Sequence, residues 1–303
     1  MKKHSAGHLA FALSLCIGAS AGLVEDESVF TPSMSEVPFA KIAQTHEIDR
    51  LCPNTGKKDD NIYHYAQNAA KNDFKAKGIP LSIAFADFDR LQQRSQQKIA
   101  SGEIKLEGKY PADREKLHNL IEIDGKPAGE GTIVRLEAYI FHAEYVNTKY
   151  SLDAQGQGRH GEAVDCDSPE LDWNDIHLAL CPTEDVNTDD CSTVTAEISP
   201  HYRPAVWSRF HDGQNTGVEA VLPGLLRHRV VQNHDDGTAP VRVRLTGPLF
   251  YDASHRPCSF DGARVVERHG PERRTIWEIH PIYRIEVWDL KLKKWIDVDQ
   301  SDR

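Results

Sequence analysis

Five stretches in the C-terminal half of the chain alternate apolar and polar residues, and this pattern restricts the fold more tightly than any other feature of the sequence. They are GTIVRLEAYIFHAEY at 131–145, NDIHLALC at 174–181, STVTAEIS at 192–199, PVRVRLTGPLFYD at 240–252 and WEIHPIYRIEVW at 277–288. A period of two is the signature of a strand with one buried face. In the first stretch Val134, Leu136, Ala138 and Ile140 share a face, and Arg135, Glu137, Tyr139 and Phe141 share the other. In the second, Ile176, Leu178 and Leu180 face inward. In the fourth, Val241, Val243 and Leu245 oppose Arg242, Arg244 and Thr246. Trp277, Ile279 and Pro281 are the inward residues of the fifth, unless Pro281 marks a bulge or an edge. Between the third and fourth, residues 204–231 read as partly helical. Three strands, a helical connection and two strands are the element order of an OB-fold barrel. An open α+β sandwich of similar strand count is the competing architecture.

The N-terminal half follows a different period. Residues 61–78 are predicted to be helical, with Asp59 or Asp60 as N-cap and Gly78 as the stop. Residues 82–102 are predicted to form a second helix with Phe85, Phe88, Leu91 and Ile99 as its apolar stripe and Gly102 closing it. The two would pack as an α-hairpin, and 111–120 would add a short helix or turn. The expected fold class is therefore α+β, an N-terminal α-hairpin followed by a five-stranded OB-like β-barrel. The division is a signal peptide at 1–21, an extended lead-in and helical region at 22–130, and the barrel domain at 131–303.

Compartment is read from the first residues. Lys2 and Lys3 precede the short apolar run Leu9 to Ile17, and Ala19-Ser20-Ala21 ends it. This is the layout of a bacterial secretory signal, too short for a spanning helix, so the protein is expected to be periplasmic or secreted. Export sets the reading of the cysteines. Cys52, Cys166, Cys181, Cys191 and Cys258 remain after cleavage, and disulfides are expected in an oxidising compartment. Cys181 with Cys191 and Cys166 with Cys258 are the suggested pairs, leaving Cys52 over. There is no CxxC pair to support a zinc or dithiol site.

Polar residues two apart recur on the strand faces that oppose the core: Asp175 with His177, Glu197 with Ser199, Arg242 with Arg244, and Glu278 with His280. Two imidazoles and two carboxylates at Asp175, His177, Glu278 and His280 form a candidate metal site, because zinc and similar divalent ions take nitrogen and oxygen ligands. The alternative is a set of cross-strand ion pairs on a wet face. SPHYRP at 199–204 and YDASHRPC at 251–258 each place a His and an Arg near a Pro at a strand end. His201, Arg203, His255 and Arg256 therefore belong at loop mouths, and Asp252 with His255 has the makings of an acid–base pair. The same residues also suit ordinary turns.

The charge is divided. The whole chain carries −10, which disfavours non-specific nucleic-acid binding. Residues 131–200 hold 14 acidic against 3 basic side chains, whereas 201–294 hold 15 basic against 11 acidic. The acidic excess lies in 161–175 and 182–190, read as solvated loops, since the EF-hand spacing fails at Pro169. The basic half, with Arg242, Arg244, Arg273, Arg274 and Arg284, either accepts an anion or neutralises the acidic half. A P-loop motif is absent from the sequence. GxSxG occurs only at 18–22, inside the signal segment, and GxGxxG only at 156–161, inside the polar insertion after the first strand, so neither has the strand–turn–helix setting its chemistry needs.

The combination EISPHYRP, LTGPLFYDASHRPC and WEIHPIYRIEVW resembles a set of exported bacterial proteins of unknown function, over residues 50–288. The strand order is also similar to that of thermonuclease-type OB barrels, which gather acidic residues and arginines around calcium. Asp175, Glu197, Arg242 and Arg244 are loose counterparts, at a spacing that departs from that pattern. Two functions follow as expectations. One is an exported binding module whose groove takes an oligonucleotide, an oligosaccharide or an envelope partner, with Arg242, Arg244, Asp252, His255, His201 and Arg203 as ligand-binding residues. The other is a metal-dependent hydrolase acting on phosphodiesters, with a divalent metal as its cofactor.

Overall fold

The computed structural model describes residues 47–57, 61–74, 78–145, 161–168, 173–184, 190–204, 207, 241–258, 273–289 and 291–298. The signal segment at 1–21 and nearly all of the 204–231 connection lie outside these. The elements in chain order are helix α1 (Ile62–Lys71), β1 (Leu81–Ile83), helix α2 (Phe85–Ala100), β2 (Leu106–Glu107), β3 (Tyr110–Pro111), β4 (Ile121–Ile123), β5 (Lys126–Ala128) and β6 (Ile133–Tyr145). They continue as β7 (Ile176–Cys181), β8 (Val194–Ile198), β9 (Val241–Tyr251), β10 (Trp277–Ile279), β11 (Arg284–Asp289) and β12 (Lys294–Asp297).

Strands β6, β7, β8, β10 and β9 hydrogen-bond in that order, and β9 returns to β6, which closes a five-stranded barrel. The arrangement is compatible with an OB-like barrel. The seam runs antiparallel from Ile133↔Pro248 to Ile140↔Val241. Beyond it, β6 pairs with β7 on its other edge, and its register shifts between Ile140 and His142. That irregularity bends the long strand so that it serves both neighbours. The apolar residues of each alternating stretch fill the interior: Val134, Leu136, Leu178, Ala196, Leu245 and Ile279 are all at most 1% exposed. The fifth stretch is split into β10 and β11 around a cis His280–Pro281 peptide, where the ladder lacks a proline donor. Gly247 faces this break, and a Cβ there would lie 2.4 Å from the Pro281 carbonyl oxygen. Beyond the barrel, β1 adds to β6 in parallel and β11–β12 extend the β9 side.

The two helices precede the barrel as expected, with three differences. The N-cap of α1 is Asn61, whose side chain accepts from the Tyr63 and His64 amides. The helix stops at Lys71, capped by Asn72, well before Gly78. Residues 81–83 are strand, so β1 stands between the two helices, and α2 begins only at Phe85. The pattern Leu81, Ile83, Phe85 alternates as a strand does before it turns helical, and pairing with β6 decides in favour of the strand. Phe88 and Leu91, from the predicted stripe, are fully buried.

The disulfides differ from the expected pairs. Cys52 bonds to Cys166 and Cys191 to Cys258, at Cα separations of 5.7 and 5.6 Å. Cys181 belongs to neither; it is fully buried at the end of β7, with its thiol 3.0 Å from the Thr183 carbonyl oxygen. Cysteines near in sequence suggested a local bridge, but the barrel brings distant loop cysteines together instead. The two disulfides are consistent with an extracytoplasmic protein; no helix among the described residues is long and apolar enough to cross a membrane.

Candidate functional site

The outward faces of β7, β8 and β10 do not reach water. Helix α1 lies over them and presents Gln67, Asn68 and Lys71, positions i, i+1 and i+4, each at most 4% exposed. The turn at 161–168 closes a second side. It is fixed by the Cys52–Cys166 bridge, by a Lys57–Asp167 ion pair and by the Asn174 amide donating to the Ser168 carbonyl at 2.8 Å. The result is a buried cluster of six carboxylates, Glu162, Asp165, Asp175, Glu197, Asp252 and Glu278, interleaved with Lys71, Arg273, His177, His255 and His280.

Strand register explains the convergence. His177 lies directly opposite Glu197, and Ile279 opposite Ala196, so His280 falls beside Glu197 on the same outer face. Glu197 is 0% exposed and stands at the centre. Its Oε1 is 2.8 Å from His177 Nε2; its Oε2 is 2.7 Å from Lys71 Nζ and 3.4 Å from His280 Nε2. Neither oxygen is in hydrogen-bond geometry with these neighbours. Lys71 Nζ also reaches Glu162 Oε2 at 2.7 Å, and His280 Nε2 is 3.1 Å from Asp175 Oδ2. On the far side, Arg273 Nη1 donates to Glu278 Oε2 at 2.6 Å, while Arg273 Nε and Nη2 and Glu278 Oε1 make no hydrogen bond.

The charges are strongly coupled. Burial works against the Lys71 ammonium, but Glu162 and Glu197 outweigh it and hold the group well above its ordinary range. Burial likewise opposes ionisation of Glu162 and Glu197; Lys71 and His177 more than offset it, bringing Glu162 down to about 2 and Glu197 well below the usual value. His177 is pushed up to about 10, because Glu197 and Glu162 overcome the cost of burying its charge. Asp165 and Glu278 go the other way: burial and neighbouring carboxylates raise both well above the ordinary carboxylate range. The acids beside Lys71 and His177 are thus favoured as carboxylates, whereas at Asp165 and Glu278 burial and like charges outweigh the nearby cations, Arg273 beside Glu278 included.

Asp252 and His255 form the rim. Asp252 is 1% exposed and takes a hydrogen bond at 3.1 Å from the Gln67 amide; its other oxygen is paired with His255 Nδ1. Burial opposes the Asp252 charge, but His255 holds its carboxyl below the usual range. The His255 side chain is 19% exposed, its ring centroid lies 6.1 Å from that of His177, and exposed Lys109 and Arg256 stand nearby. Burial and the neighbouring Arg273 lower the His255 pKa.

The predicted site residues therefore separate into three places. Asp175, His177, Glu278 and His280 come together with Asp252 and His255, on a covered face instead of a wet one. His201 and Arg203 lie at a second corner: His201 pairs with Asp49 at 2.8 Å and stacks on Phe74, and Arg203 donates to the Asn174 carbonyl. His201 also lines a cavity of about 520 Å³ that touches Asp165. Arg242 and Arg244 are at the other end of β9. Arg242 pairs with Glu137 at 2.8 Å and lies against both Trp288 and Trp295; Arg244 binds Glu286 through two nitrogens and covers Trp295. They do not share a groove with the histidines. Part of the acidic stretch read as solvated loop, Glu162, Asp165 and Asp175, instead supplies the cluster.

Lys71, Glu162, Asp165 and Arg273 were not singled out as site residues. The spacing of Asp165 and Asp167, which starts as a cation loop does and fails at Pro169, was the available signal for one of them. No family model matches the chain, and neither a curated protein nor a solved structure matches it. The resemblance to exported bacterial proteins thus has no family behind it in these comparisons.

Proposed function

We propose that the protein is an exported, metal-dependent hydrolase acting on phosphodiesters, built on an OB-like barrel and working in the periplasm or outside the cell. The observation that carries this reading is the Asp252–His255 pair at the rim of a buried carboxylate–histidine cluster. With Nδ1–H donated to Asp252, His255 Nε2 keeps its lone pair, and the lowered pKa keeps the ring neutral near pH 7. His255 would take a proton from an attacking water as its oxygen bonds to phosphorus. The bond from phosphorus to the leaving oxygen breaks, and the imidazolium returns the proton to that oxygen. Arg273, with two nitrogens lacking hydrogen bonds, is the nearby cation suited to the developing charge. Lys109 and Arg256 would attract the anionic substrate.

The test is hydrolysis of bis(p-nitrophenyl) phosphate and of a single-stranded oligonucleotide by the purified mature chain. His255→Ala should lower turnover on the order of 10²–10⁴-fold while leaving the circular dichroism unchanged. No turnover on either substrate, with or without divalent metal, rejects the reading. A second reading, the binding module, is favoured by the half-buried Arg242 packed against Trp288 and Trp295, whose rings meet edge to face. Aromatic faces interleaved with arginine suit an oligonucleotide or an oligosaccharide. Quenching of tryptophan fluorescence by such a ligand, lost in Trp295→Ala, would support it.

A further inference from the structure

We infer that Glu162, His177 and Glu197 form the binding site of one divalent cation of the zinc class, with Lys71 orienting the two carboxylates. The inference deepens the hydrolytic reading by assigning the ligands of its metal, yet the site is defined by geometry and does not depend on turnover.

Glu162 and Glu197 divide their oxygens in the same way. Each gives Oε2 to Lys71 Nζ, at 2.7 Å in both cases, and each turns Oε1 toward His177 Nε2. His177 Nε2 lies 2.8 Å from Glu197 Oε1 and 3.6 Å from Glu162 Oε1, and the three ligand atoms all fall within 4.8 Å of one another. An ion bonded to each at about 2.0–2.1 Å would subtend roughly 86° and roughly 123° across those two pairs, inside the range of four- to six-coordinate zinc. His177 Nε2 and Glu197 Oε1 belong to residues 6% and 0% exposed, face one another, and have no hydrogen-bond partner. Their contact is an ion pair without hydrogen-bond alignment, so part of the cost of burying the two atoms is left uncovered, and a shared cation offsets it.

The ligand chemistry narrows the choice. One imidazole and two carboxylates suit zinc or its transition-metal neighbours, whereas calcium takes six to eight oxygens. Three protein ligands leave a coordination position open, as in catalytic zinc sites. The neighbouring trio of Asp175, Glu197 Oε2 and His280 is the weaker candidate, because Lys71 already supplies a positive charge to Glu197 Oε2 and lies 3.8 Å from Asp175. Lys71 holds the ligands as outer-shell partners do in metal sites.

The experiment uses the mature chain with both disulfides formed, stripped with chelator and titrated with zinc chloride by calorimetry, with metal content measured after desalting. One retained equivalent is expected, with calcium giving no heat. Glu162→Gln and His177→Asn should weaken binding on the order of 100-fold or more, beyond the 10–100-fold typical of outer-shell changes; Glu278→Gln should leave it unchanged. Should either ligand variant fail to fold, X-ray absorption of the zinc-loaded wild type decides the matter: a shell of nitrogen and oxygen supports the site, and sulfur from Cys181 overturns it. Absence of zinc uptake by folded wild type, or loss in Glu278→Gln with retention in Glu162→Gln, also overturns it. Zinc binding without phosphodiester turnover counts against the hydrolase alone. Turnover by chelator-treated protein that takes up no zinc counts against the cation site alone.

Discussion

At Glu197 and Glu278 the same side-chain type meets opposite surroundings, and the two positions should respond oppositely to the same substitution. Glu197 is the shared counter-charge of Lys71 and His177. Glu197→Gln leaves two buried cations short of a partner and should cost about 3–5 kcal/mol in urea denaturation at pH 7. Burial and the neighbouring Glu197 and Asp252 push the Glu278 pKa up, so an uncharged Gln that still accepts from Arg273 should be tolerated there far better than at position 197. Glu278→Gln should leave the protein at least as stable. The pH dependence separates them further. A carboxyl whose folded pKa is raised binds more protons folded than unfolded, so its contribution falls as pH climbs above about 4.3, the ordinary glutamate value. The advantage of Glu278→Gln over wild type should therefore grow with pH from there. Asp252 is depressed, so its stabilisation is full above about 3.9 and is lost as pH falls below that; Asp252→Asn should be costly at neutral pH, and its cost should shrink as the solution is acidified. Equal pH profiles for the two variants would contradict this account.

Helix α1 and the 161–168 turn act as one cover over the cluster, and their contributions should be coupled. Lys71→Met removes the ammonium that Glu162 and Glu197 share; adding Glu162→Gln should restore part of the lost stability, with an interaction energy of about 1–3 kcal/mol in a double-mutant cycle. Additive losses would mean that the two elements are held independently. The Cys52–Cys166 bridge closes 114 residues and anchors the turn that carries Glu162 and Asp165. Replacing both cysteines by alanine should cost about 2–5 kcal/mol and should weaken zinc binding more than loss of Cys191–Cys258 does. At this scale the sequence was informative in an uneven way. That a helix lies within 61–78 was legible from the capping and stop residues around it, although it spans only 62–71. That the buried side of the helix is its polar side was not, because Gln67 and Lys71 are ordinary surface residues until strand register places acids beneath them. The same holds for β1: three alternating residues are too few to outweigh a following helical run unless the partner strand is known.

Across the whole molecule, the five alternating stretches did specify five positions around a barrel wall, and their inward residues are the ones that fill it. Period two carries that information directly, since one register error would turn every side chain over. What it does not carry is depth on the outer face, which is why a face read as wet is covered, or distance along a strand, which is why Arg242 and Asp252 occupy opposite ends of β9. Nor does cysteine spacing carry loop proximity, and the pairs expected from it were wrong. Peptide mapping of the oxidised chain should recover 52–166 and 191–258 linkages and no link to Cys181.

The β6–β9 seam has a consequence for how the molecule reaches this state. Each of its contacts joins residues about a hundred positions apart, with Val134 against Gly247 and Leu136 against Leu245. No nascent chain that stops before Val241 can complete the cylinder, and one whole wall of aliphatic side chains would then face solvent. A truncation at that point should give a sticky, dye-binding species, and the full chain should acquire its rigid tertiary signal late, on the millisecond-to-second scale of topologies dominated by distant pairings.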